Sequence, residues 1–233
     1  MTVQFPQFKN QDLLTTALTH RSALNEHIST SSESNERLEY LGDAVLELVA
    51  TEFLYEQFPD EQEGMLTAYR SALVKTTTLA EVAQDLKLGE KLLMSKGEEA
   101  SGGRQNTSLL ANTVEALLGA LYLDQGIEAV QRVLERCLFP KMDDILQKKL
   151  YKHAKSLLQE IIQAEGLSTP EYIVVDEQGP EHDREFTVKV VINGRDAGVG
   201  TGKSKQIAQE AAARNVLDNQ ALLDELLRSQ KAA

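Results

Sequence analysis

A chain of 233 residues, 42% hydrophobic and 26% charged, has room for one large or two modest domains that each bury a core. Its single cysteine, Cys137, excludes an internal disulfide and a thiolate zinc site, and no run approaches the ~20 apolar residues of a membrane span. The net charge of −12 argues at first against a polyanionic partner, but residues 1–150 carry 14 Lys and Arg against 23 Asp and Glu (−9), and residues 151–233 carry 10 against 13 (−3). Most of the surplus acid lies in the first half, and local basic clusters rather than the total decide whether nucleic acid docks. The start, MTVQFPQFKN, lacks a basic-then-apolar leader, so a cytoplasmic protein with no membrane partner is expected.

From Gln11 onward, Leu13, Leu14, Ala17 and Leu18 recur at helical spacing and lead into Thr19-His20-Arg21-Ser22. The serine-rich segment 27–35 reads as a loop, with Asn35 or a nearby serine placed to cap the next helix. That helix opens with NERLEYLGDAVL at 35–46 and is predicted to reach Tyr55 or Gln57, stopped by Pro59. On a wheel with Leu38 at zero, Glu39, Asp43 and Glu36 fall at about 100°, 140° and 160°, while Leu41, Val45 and Val49 gather near Leu38. Three carboxylates thus share one arc, a pattern also shown by a surface helix with a solvated acidic face. Gly42 costs ~1 kcal/mol relative to Ala in a helix interior, and beside Asp43 it lets a ligand or a neighbouring backbone come close.

After Gly64 a long helical stretch is predicted through Thr76 to Leu86, ending near Gly89 with Lys87 in its last turn. Residues 97–104, GEEASGGR, read as a flexible loop from which Arg104 either reaches a phosphate or stays solvated. A deeply buried helix follows over 106–123, then another over 127–138 ended by Pro140. The polar stretch 141–152 reads as a partly helical linker. Beyond it come a helix over 154–165 ended by Gly166, strands at 172–175, 186–192 and 195–199, and an Ala-rich helix from 204 to about 219. This is an α-β-β-β-α module of about 70 residues.

Two helix-borne pairs carry oxygen donors: Glu39 and Asp43 at i,i+4, and Asn112 and Glu115 at i,i+3. If their faces oppose, four donors converge in a way that suits a hard cation such as Mg2+. Two carboxylates 4 Å apart repel by roughly 4 kcal/mol at an effective dielectric of 20, so such a cluster calls for a bound cation.

The string NERLEYLGDAVL resembles the signature of the ribonuclease III family, whose members cut double-stranded RNA with divalent metal. ALTHRS at 17–22, GEEASGGR, and LANTVEALLGALYLD at 110–124 follow in that family's order over about 110 residues. The resemblance implies an all-α endonuclease domain over 1–147, a linker over 148–152, a small α+β double-stranded RNA-binding domain over 153–222 and a tail over 223–233. It implies catalytic roles for Asp43 and Glu115, and Mg2+ held by Glu39, Asp43, Asn112 and Glu115, with Mn2+ able to substitute. Glu36 and Glu63 match auxiliary acids of the family's cleft. Tyr40, where relatives often carry Phe, matches an aromatic packed across a homodimer interface. Such a dimer resembles the staggered cutters that leave 5′-phosphates, 3′-hydroxyls and short 3′ overhangs in processing rRNA precursors and other structured transcripts. At position 112 the family usually has Asp, so this chain's Asn implies a raised metal requirement.

The 151–219 region resembles a double-stranded RNA-binding domain at three places. These are Gln159 and Glu160 in KSLLQE, Pro180 and His182 in GPEHDREF, and Lys203 and Lys205 in GTGKSKQIAQEAAA. Duplex RNA offers 2′-hydroxyls across a shallow minor groove, and a helix start favours phosphate, so these positions are candidate RNA contacts. Gln206 and Gln209 stand where relatives often carry lysines, which implies weak, salt-sensitive binding. Two rival readings stay open: a double-stranded RNA-binding protein of the same architecture inactivated at Asn112, and an all-helical interaction protein whose acidic face is incidental.

Overall fold

The structure, a computed structural model, describes residues 6–180 and 184–228, and the chain divides into two compact units after Tyr151. The first unit is helical: α1 (Gln11–Ala17), α2 (Arg21–Asn25), α3 (Glu36–Gln57), α4 (Glu63–Leu73), α5 (Thr76–Asp85), α6 (Leu88–Lys91) and α7 (Lys96–Ala100). A single 3-10 turn (Gly103–Gln105) precedes α8 (Thr107–Gln125), α9 (Ile127–Cys137) and α10 (Lys141–Gln147).

The core is built around α8, which is apolar nearly all round and buries an unbroken run from Ala116 to Leu121. Its start is fixed by Asn106, whose side chain accepts hydrogen bonds from the Ser108 and Leu109 N–H groups at 2.9 and 3.1 Å. α3 covers one side of it and α5 another. The wheel drawn for α3 holds, with Leu38, Val45 and Val49 buried while Glu36 and Asp43 are exposed.

Four expectations change in this unit. Asn35 precedes α3 but its side chain makes no capping hydrogen bond; the residue is buried, and its backbone N–H donates to the Thr19 carbonyl at 2.9 Å. The stretch from Gly64 to Leu86 is two helices, because Lys75 is extended (φ −63°, ψ 152°), and Lys87 (φ +54°) lies beyond the end of α5. GEEASGGR is mostly helical turn, and Arg104 points inward. Its Nη1 donates to the Gly89 and Leu92 carbonyls at 2.7 and 3.0 Å, and its Nε to Glu99 at 2.6 Å. A guanidinium so engaged pins α6 and α7 together and is not a phosphate reader. Finally, α10 buries Met142 and Ile145 in the first core, with Leu150 and Tyr151 packed on it, so this unit extends past residue 147.

The second unit contains α11 (Ala154–Ala164), the antiparallel sheet β1 (Glu171–Gln178), β2 (Glu185–Ile192) and β3 (Arg195–Gly202), then α12 (Lys205–Asp218) and α13 (Gln220–Arg228). Alternation puts Val188, Val190 and Ile192 on the face toward the helices. Gly198 and Gly200 pair with the inward-facing Val190 and Val188 and so face α12, while an irregularity after Val190 re-phases only the start of β3. A Cβ at Gly200 would run into the backbone of Ala211 and Ala212, so strand and Ala-rich helix lie in backbone contact. The tail expected from 223 instead begins within α13, whose Leu223 and Leu226 are buried in the second core.

Candidate active site and RNA-binding face

Two glycines set the crossing of α3 and α8. A Cβ on Gly42 would collide with the Glu115 carbonyl, and one on Gly119 would collide with the Leu38 carbonyl and stand 2.9 Å from the Gly42 nitrogen. The gap beside Asp43 therefore admits a neighbouring backbone, not a ligand. Contact this close brings the donor-bearing turns of the two helices into one electrostatic field. Burial pushes the half-buried Glu115 carboxyl up to about 7, with Asp43 and then Glu39 adding repulsion. Glu39 is raised too, by burial and by Glu36; a side-chain hydrogen bond from Asn112 works against the rise, and Asp43 adds to it.

Glu39, Asp43 and Glu115 thus feel one another's charge, and Asn112 meets them through its hydrogen bond to Glu39. Among the described residues, however, no three His, Cys, Asp or Glu side chains are drawn tightly enough together to hold a metal ion. The donor set itself, three carboxylates and one amide oxygen, is all hard oxygen and fits Mg2+ or Mn2+.

Glu36 lies at the rim, accepting from the Ser34 hydroxyl at 3.0 Å and standing 3.7 Å from Arg21. Glu63 does not join the group. It opens α4, accepts from Thr67 at 3.0 Å, and lies toward the far end of α3, because α4 runs back along α3 to place Arg70 2.8 Å from Glu47. Tyr40 is 84% exposed and heads a stripe with Leu48 and Tyr55 (61% and 72% exposed) within about 80° of the α3 surface. Only its first member was singled out from sequence; the others recur at i+8 and i+15, a signal masked by the charged residues between them.

A cleft of about 350 Å3 extends from Glu39 and Asn112 to His20 and Arg21. Neither His20 nor Arg21 was chosen from sequence, although both lie in ALTHRS.

In the second unit, Gln159 is exposed and donates to Gln163 at 3.4 Å, whereas Glu160 is paired with Lys152 at 2.7 Å. Pro180 is exposed at the end of the β1 side of the loop; His182 lies outside the described residues. Lys203 and Lys205 are exposed on either side of Ser204, whose hydroxyl accepts from the Ile207 N–H at 3.2 Å to cap α12. The Lys205 ammonium stands 5.7 Å from the Phe186 ring centre. Gln209 accepts from Lys155 at 2.5 Å, a role that a lysine there could not fill.

Residues 10–142 match the ribonuclease-III-like family model, and residues 154–220 match the double-stranded RNA binding motif. A ribonuclease 3 of Geobacillus kaustophilus is 46% identical over 91% of this chain and 85% of its own length. One from a Roseiflexus species is 48% identical over 91% and 90%. Among solved structures, the nuclease domain of ribonuclease III from Campylobacter jejuni, described for structural flexibility in its dimer-forming region, covers 57% of this chain and 92% of its own at 42% identity, with a TM-score of 0.53. No helix among the described residues is long and apolar enough to cross a membrane. With both units matched in order and relatives nearly half identical along nine-tenths of its length, the chain belongs to the ribonuclease III family, metal-dependent endoribonucleases that act on double-stranded RNA in RNA processing.

Proposed function

We propose that Glu39, Asp43, Asn112 and Glu115 hold Mg2+, with Mn2+ able to replace it, and that Asp43 and Glu115 are the catalytic pair. The observation that carries this is the glycine-lined crossing of α3 and α8, which couples Glu115 to both Asp43 and Glu39. When bound, the ion supplies Lewis-acid chemistry: a more acidic water and stabilisation of the departing oxygen. Asp43 and Glu115, ionised once the ion is held, would orient the attacking water and take up its proton as it attacks phosphorus. The P–O3′ bond breaks, and the departing 3′-oxygen takes a proton from solvent, giving a 5′-phosphate and a 3′-hydroxyl. Glu36 tunes the field at Glu39 from the rim.

Asn112 offers a ligand oxygen without charge, so metal affinity is lower than an aspartate would give. The second unit holds the duplex through Gln159, Glu160, Pro180, His182, Lys203 and Lys205. The exposed stripe of Tyr40, Leu48 and Tyr55 supports a homodimer presenting one cutting centre to each strand, and Glu63, remote from its own cluster, takes only an auxiliary part. The working compartment is the cytoplasm.

The direct test is incubation of a long RNA duplex with the full chain in Mg2+ and in EDTA. Cutting is expected only in Mg2+. Asp43→Ala and Glu115→Ala should bind the duplex in EDTA as the wild type does and yet cut at least 1000-fold more slowly, on the order expected for removal of a metal-site carboxylate. Near-wild-type cutting by either variant would remove the pair from its assigned role.

A further inference from the structure

The His20–Arg21 end of the cleft is built, not incidental. Thr19 is fully buried, its hydroxyl donating to the Thr15 carbonyl at 2.7 Å, and the His20 N–H donates to the Leu93 carbonyl at 2.9 Å. The Ser95 N–H donates to the Ser22 hydroxyl oxygen at 2.9 Å. Ser22 in turn approaches His20 Nδ1 with both its hydroxyl (2.8 Å) and its backbone N–H (3.4 Å). Nδ1 is therefore an acceptor, and the neutral ring carries its proton on Nε2, the donor left over. Beside it, Arg21 is 74% exposed and engaged only loosely by Glu36 at 3.7 Å, a type of pair that is weakly held and readily exchanged for a better anion. Both groups line a cleft whose other end is Glu39 and Asn112, and its volume of about 350 Å3 suits one nucleotide unit and not a duplex.

We propose that His20 and Arg21 form a phosphate subsite that takes the backbone phosphate adjoining the scissile one on the strand being cut. The subsite rests on the nuclease reading given above. Arg21 leaves Glu36 for the phosphate, and Nε2–H of His20 donates the second hydrogen bond. A strand anchored one phosphate away from the acids has its reacting linkage set against Asp43 and Glu115, which is positioning, not chemistry.

The test pairs protein variants with RNA duplexes in which one phosphate at a time, around the cut site, is replaced by a neutral methylphosphonate. Affinity is measured by fluorescence anisotropy in EDTA, and single-turnover cleavage is measured in Mg2+. The proteins are the wild type, Arg21→Gln, Arg21→Lys and His20→Asn; the last keeps an acceptor toward Ser22 but has no donor at the place of Nε2. At one linkage adjoining the scissile bond the wild type should lose about tenfold in affinity, while Arg21→Gln and His20→Asn lose little more there. Arg21→Gln should flatten the dependence of log affinity on log salt by about one, and Arg21→Lys should restore that slope. Equal losses in wild type and Arg21→Gln at every linkage would overturn the subsite. If the wild type failed to cut unmodified duplex in Mg2+, the nuclease reading would fall, while the affinity comparison would still decide the subsite.

Discussion

Glu115 gathers the residue-scale consequences. In the folded chain its carboxyl keeps a proton up to about 7, whereas the unfolded carboxyl releases it at its ordinary 4.5. Between those values the folded state binds more protons, so this group's contribution to stability falls as pH rises through the window and is gone above about 7. A divalent ion needs the ionised form and competes with that proton. The rise in melting temperature on adding Mg2+ should be small at pH 5.5 and larger at pH 8, and Glu115→Gln should level the two; equal rises in the wild type would contradict this. Asn112→Asp adds the missing ligand charge and should lower the Mg2+ concentration for half-maximal cutting by about tenfold, an effect within what ligand charge does to such sites; superimposable titrations would sink it. The acids were singled out in sequence because NERLEYLGDAVL and LANTVEALLGALYLD resemble the family's strings, whereas helical spacing alone fits a solvated acidic face equally well. The role of Arg104 was not legible, since its acceptors at Gly89 and Leu92 come from a neighbouring segment that no local pattern announces.

At the scale of elements, the crossing of α3 and α8 is what makes the acids a group. Gly119→Ala puts a methyl group into the Leu38 carbonyl, with no flexible side chain to yield, and should cost ~3 kcal/mol of stability, read as a shifted urea midpoint. An unchanged midpoint would mean that the helices do not pack this closely. In the second unit the Glu210 carboxylate accepts from the Ala154 N–H at 2.7 Å, capping α11 from α12. Glu210→Ala should therefore cost ~1 kcal/mol. Helix positions were readable wherever apolar residues recur every three or four places. The break at Lys75 was not, because neither glycine nor proline marks it, and α13 was missed because its leucines gain meaning only once α12 and the second core are in place.

On the whole-molecule scale, two units that each bury their own core divide the labour: one reads the shape of the duplex and the other cuts it. In the proposed homodimer a second copy would double both, and linked sites would raise effective affinity without new contacts, offsetting the lysines this chain lacks at Gln206 and Gln209. Leu48→Glu, on the exposed stripe of α3, should convert a sedimenting dimer into a monomer without unfolding it; a wild type that is itself monomeric at micromolar concentration would remove the dimer. If the α3–α8 crossing seizes a divalent ion beside the RNA strand, a crystal soaked in Mn2+ reveals it most directly. The anomalous difference map should show a peak at ligand distance from Asp43 and Glu115, absent in Glu115→Gln. A map with no peak there, from protein that still cuts duplex in Mn2+, would contradict it.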